Sequence, residues 1–152
     1  MSEHKVTVSW QRTTDSFGIK EYNRSHQWDF DHGNVVRASA APAYQGDTDC
    51  VDPEQAFVAS IASCHMLTFL AIASQKGFVV DDYVDEAFGV LGKNEQGRMA
   101  VSEVTLVPQV RFAPGKAPDQ ETFEQLNHQA HQFCFIANSV NSKVHLNAAI
   151  IQ

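Results

Sequence analysis

A chain of 152 residues has the length of one domain, and a chain of this size buries about two thirds of its unfolded surface around a single core. Its composition, 43% hydrophobic and 19% charged, is too apolar for intrinsic disorder. The net charge of -7, with no cluster of Lys or Arg, argues against nucleic acid or an anionic membrane as the main partner.

The opening segment MSEHKVTVSW lacks the basic start and apolar centre of a signal peptide. No uninterrupted apolar run reaches about 18 residues, so a cytoplasmic protein with no membrane contact is expected, folded as one domain over residues 1–152. Residues 4–12 and 22–30 alternate in polarity as strands do. The turn signal Asp31-His32-Gly33 follows, so these two runs and Val35 to Ser39 read as an antiparallel meander. After a loop of small and polar residues, Asp52 is placed to cap a helix, Pro53 suits its first position and Glu54 its positive end. Phe57, Ile61, Cys64, Thr68 and Ile72 fall at helical spacing, and apolar residues fill the other faces, so the helix is expected to be buried all round until Gly77 ends it.

Two long strands, Phe78 to Leu91 and Ala100 to Phe112, are predicted next, joined by the turn at residues 94–97. A helix over Asp119 to Gln132 carries the stripe Phe123, Leu126, Ala130 and Phe133, and a last strand runs from about Lys143 to Ile151. The order predicts an α+β domain with helices packed on antiparallel sheet. Cover for a helix apolar on every side is scarce in so short a chain, and a homodimer pairing two such helices would supply it.

Three cysteines, Cys50, Cys64 and Cys134, are too few and too odd in number for a disulfide framework. Cys64 alone reads equally as a core residue or as a reactive thiol. It lies about three turns into its helix, beyond the reach of the helix dipole, and needs another cation to ionise at neutral pH. An arginine suits, since it stays charged when buried and can hold a thiolate and a carboxylate together; Arg24 and Arg37 precede the helix. Glu54 is about 15 Å from Cys64 along an ideal helix, so it could anchor such an arginine but not touch the sulfur. Cys64, His65, His128, His131 and Cys134 leave a zinc site as an alternative, without the compact C-x-x-C pair of most structural sites.

The segments DPEQAFVASIASCHM and AHQFCFIANSV resemble the two signature segments of the OsmC/Ohr family, the cysteine-based hydroperoxide reductases, with the second cysteine seventy residues after the first. The residues after each cysteine are similar to those of an OsmC-like subgroup, and the likeness in element order covers most of the chain. The resemblance implies antiparallel sheets around a buried central helix in an intertwined homodimer. It further implies that Cys64 is the peroxidatic thiol, that Cys134 resolves its sulfenic acid as a disulfide, and that Arg24, held by Glu54, activates Cys64. Arg24 stands nine residues before Gly33, as the family's catalytic arginine stands before a turn glycine, with Arg37 as the fallback. Implied partners are an organic hydroperoxide, alkyl or lipid, and a dithiol or lipoyl-bearing protein as reductant; no bound cofactor is implied. Neither pattern nor resemblance assigns a role to His65 or Cys50.

Overall fold

The computed structural model describes all 152 residues, and the chain divides into two compact units, 1–56 and 57–152. In the first, β1 (Thr7–Ser9), β2 (His26–Asp29) and β3 (Val35–Ala38) form the expected antiparallel meander, with Trp28 opposite Val8 on one side and Val36 on the other. The β2–β3 turn takes left-handed backbone at Asp31, His32 and Gly33, with φ of 70°, 53° and 82°. Asp and Gly tolerate that conformation, which is why the tripeptide reads as a turn.

Helix α1 spans Pro53–Gln75, with Pro53 first as predicted. Asp52 Oδ1 accepts from the Gln55 N–H at 2.7 Å while Gln55 Oε1 accepts from the Asp52 N–H at 3.1 Å, a reciprocal cap that satisfies two end groups at once. The chain leaves the helix through Gly77 at φ 82°.

In the second unit follow β4 (Val80–Asp85), β5 (Phe88–Lys93), β6 (Met99–Leu106), β7 (Pro108–Phe112), α2 (Gln120–Phe133), β8 (Lys143–Leu146) and β9 (Ala149–Ile151). Each long strand expected from the sequence is thus broken in two. The break in the middle has a chemical cause. Pro108 has no N–H to continue a ladder, and the Val107 N–H turns instead to Asp85 Oδ1 at 2.7 Å, while Asn147 donates to the Leu106 carbonyl at 2.9 Å. The strands sort into two sheets, β4–β7–β9 and β5–β6–β8. The sheets are mixed rather than wholly antiparallel, because β8 pairs with β6, and β9 with β7, in parallel. The crossover through α2 makes this possible, since parallel neighbours need a long connection.

The expectation of a helix buried on every side is corrected within this chain. Only Ile61, His65, Phe69 and Ala73 of α1 are fully buried, a stripe at four-residue spacing. That stripe shares Ile61 with the predicted one and is turned from it by one residue thereafter, leaving Cys64, Thr68 and Ile72 half-buried, Ala59, Ser63 and Ala71 exposed and Leu67 60% exposed. Phe69 and Ala73 pack with Val110, Phe112, Phe123, Leu126 and Ala130 in one core cluster, and Ile61 with Val104 and Leu106 in another. Gly89 of β5 is required by the close approach of α1, because a Cβ there would meet the Val58 side chain at 2.7 Å. Although no single apolar run is long enough, α1 as a whole has the length and composition of a membrane span. In this structure its stripe is committed to the two cores.

Candidate active site

Cys64 sits half-buried on α1 and Cys134 follows the last residue of α2; neither is in a disulfide. Residue 134 is where α2 must stop: its backbone turns extended, with φ -69° and ψ 111°, and a short 3-10 turn, Ala137–Ser139, follows. That turn aims the Ala137 N–H at Cys134 Sγ, 3.3 Å away. The Cys134 side chain is fully buried and its thiol lies close to that of Cys64. Burial first, and then the neighbouring Cys64, push the Cys134 thiol up to about 11, against the opposing pull of the Ala137 and Ile136 backbone N–H groups. Cys134 therefore keeps its proton at neutral pH. The two cysteines predicted as a reacting pair, seventy residues apart in sequence, are brought together.

His65 points into the protein and is 1% exposed, with its Nε2 3.3 Å from Asn127 Oδ1 on α2. Burial holds its pKa below the ordinary histidine value, opposed by the bond to Asn127 and supported by the charge of His131. His128 is exposed and pairs with Gln132. No group of three or more His, Cys, Asp or Glu side chains converges in a geometry that could hold a metal ion, so the zinc alternative loses its ligand set.

In the first unit, Arg24 is held locally. Its Nη1 donates to the Tyr22 carbonyl at 3.0 Å and its Nη2 to the Ile19 carbonyl at 2.6 Å, and the guanidinium stacks 4.1 Å above the Tyr22 ring. The anticipated ion pair between Arg24 and Glu54 is not formed in this chain; Glu54 stands at the first turn of α1, half-buried. Arg37 is paired with Asp47 at 3.8 Å on an exposed edge. Arg24 borders a cavity of about 740 Å³ walled by Trp10, Phe17, Ile19, Tyr22 and Tyr44. Trp10, Phe17 and Tyr22 pack on one another at 5.1 to 6.4 Å between ring centres, so one wall of the cavity is aromatic, with Arg24 beside it.

The model of the family described as OsmC-like protein matches residues 46–148, which include both cysteine segments. The chain belongs to the OsmC-like family. An OsmC-like protein of unknown function from Vibrio cholerae is 44% identical, and its structure superposes with a TM-score of 0.92 over 99% of this chain and 100% of that one. Two more distant structures share the fold. An organic hydroperoxide resistance protein of Elizabethkingia anophelis matches at 16% identity and TM-score 0.68, over 98% of this chain and 96% of its own. OhrB of Bacillus subtilis, an organic hydroperoxide resistance protein, matches at 22% and 0.64, over 99% and 98%. No curated protein matches the sequence.

Two features of this OsmC-like chain went unnoticed in the sequence. Asn127 is one, although a signal existed: it is a lone amide on the apolar stripe Phe123, Leu126 and Ala130. The aromatic wall around Arg24 is the other, assembled from residues scattered between positions 10 and 44 without periodicity.

Proposed function

We propose that the protein is a thiol-dependent peroxidase that reduces organic hydroperoxides, alkyl or lipid, to alcohols. The observation that carries this reading is the pairing of the half-buried Cys64 thiol with the buried, protonated thiol of Cys134. The Cys64 sulfur attacks the distal oxygen of the hydroperoxide and the O–O bond breaks. Its electron pair leaves with the alkoxide, which takes a proton and departs as alcohol, and the sulfur, oxidised by two electrons, becomes a sulfenic acid. The Cys134 sulfur then displaces the sulfenic hydroxyl. The S–S bond forms and the hydroxyl leaves as water with the Cys134 proton. A dithiol or a lipoyl-bearing protein returns both thiols by exchange.

Membership of the OsmC-like family and fold-level likeness to proteins named for organic hydroperoxide resistance support the reaction class. An organic substrate is favoured by the apolar side chains on the elements that carry the cysteines, half-buried Phe57 and exposed Leu67, Phe133 and Phe135. Arg24 is the proposed cation for activating Cys64, with Glu54 as its anchor, in a homodimer that acts in the cytoplasm under oxidative or osmotic stress. The aromatic-walled cavity also suits a small-ligand-binding role without turnover, and one experiment separates the two. Cys64→Ser should abolish dithiol-dependent consumption of an alkyl hydroperoxide, and oxidised wild type should show a Cys64–Cys134 bridge by mass spectrometry. Undiminished turnover in Cys64→Ser, or no turnover in wild type, would refute the peroxidase reading.

A further inference from the structure

We propose that His65, through its hydrogen bond to Asn127, is a positioning residue that sets the closure of the Cys64–Cys134 disulfide. The inference rests on the peroxidase reading for its catalytic consequence, but its geometric basis is independent of the substrate. Cys64 and His65 are neighbours on α1, and Cys134 lies seven residues beyond Asn127, immediately after the last residue of α2. Both polar side chains are enclosed, at 1% and 2% exposure. They sit where α1 passes from one apolar cluster, around Ile61, to the other, around Phe69.

The protonation pattern follows from the bonds. Asn127 Nδ2 donates to the Phe123 carbonyl at 3.0 Å, so Asn127 Oδ1 faces His65 as an acceptor. His65 must then carry its proton on Nε2, and its Nδ1 is left as a buried lone pair with no partner. As packing this is poor, since a leucine would fill the same place without an unmatched polar atom. What the imidazole adds is direction. Apolar contacts let two helices slide or roll by fractions of an ångström, whereas a hydrogen bond between them selects one register. A disulfide demands such a register, because the S–S bond is about 2 Å long and its torsion is confined near a right angle.

The step at stake is the second one, in which the Cys134 sulfur replaces the hydroxyl on Cys64 and water leaves. The first step, attack of Cys64 on the peroxide, needs no register between α1 and α2. The test compares wild type, His65→Leu and His65→Gln, whose Nε2–H reaches about the same position as that of histidine. Reduced full-length protein is mixed with one equivalent of an alkyl hydroperoxide and quenched. Sulfenic acid is trapped with dimedone and the bridge is counted by mass spectrometry. Sulfenic acid formation should stay within about twofold of wild type in His65→Leu while closure slows roughly tenfold or more, and His65→Gln should restore most of the rate. Equal closure in wild type and His65→Leu, or equal slowing in both variants, would overturn the proposal. Asn127→Ala should reproduce the defect, and it carries the same test if His65→Leu does not fold. Equilibration in glutathione buffers keeps this separate from the peroxidase reading: the Cys64–Cys134 bridge should be easier to reduce in His65→Leu than in wild type or His65→Gln, whether or not peroxide is turned over. An unchanged potential would overturn the positioning role of His65.

Discussion

At the scale of single residues, burial separates the two cysteines: Cys134 is enclosed and Cys64 half-buried. Burial, and then the neighbouring Cys64, push the Cys134 thiol up, so it holds its proton through the neutral range. Brief treatment with iodoacetamide near neutral pH should therefore modify Cys64 well ahead of Cys134, as peptide mass spectrometry would report; preferential labelling of Cys134 would contradict the assignment. His65 gives a second residue-level prediction. Its pKa in the folded state lies below the value of about 6.5 it regains on unfolding, so below that pH the unfolded chain binds more protons. The stability it permits is complete above about pH 6.5 and is lost as the pH falls through that value toward the folded one. The urea midpoint should drop more between pH 7 and pH 5 in wild type than in His65→Gln. Equal drops would mean that another group controls the acid limb. Cys64 and Cys134 were legible from local motifs, whereas the Asn127 partner of His65 was not, because 62 residues separate the two and only packing joins them.

At the scale of elements, the readable features were those whose physics is local. Asp52, Pro53 and Gly77 bound α1 through caps and backbone angles that a few residues determine, and Asp52→Ala should cost about 1 kcal/mol in chemical denaturation. The strand breaks were not readable. The one before Pro108 depends on a carboxylate 22 residues earlier that takes up the Val107 N–H. Gly89 was equally silent, since its need arises only when α1 lies across β5. Gly89→Val should destabilise the fold by about 1–3 kcal/mol through overpacking against Val58 and Val101, measured by urea unfolding. An effect below about 0.5 kcal/mol would show that the helix can draw back from the strand.

For the molecule as a whole, the apolar surface left uncovered is the main consequence of its composition. Leu67 on α1 and Phe88, Val90 and Leu91 on β5 are all at least 40% exposed, as are Phe133 and Phe135 beside Cys134. Isolated exposed apolar residues are ordinary, but this number on α1, on β5 against which it packs and beside Cys134 argues for a covering partner, and a second copy of the chain is the one we propose. Sedimentation at micromolar concentration should give twice the chain mass, and Leu67→Glu should shift the equilibrium toward monomer; a wild-type monomer would reject the dimer. By itself the sequence determined the α+β class, the meander and the caps of α1, all of which rest on periodicity, turn chemistry or short motifs. Only the tertiary structure decided which stripe of α1 is buried, where the strands break, that β8 and β9 pair in parallel, and that His65 meets Asn127. Those outcomes are set by groups distant in sequence competing for the same space and the same hydrogen bonds.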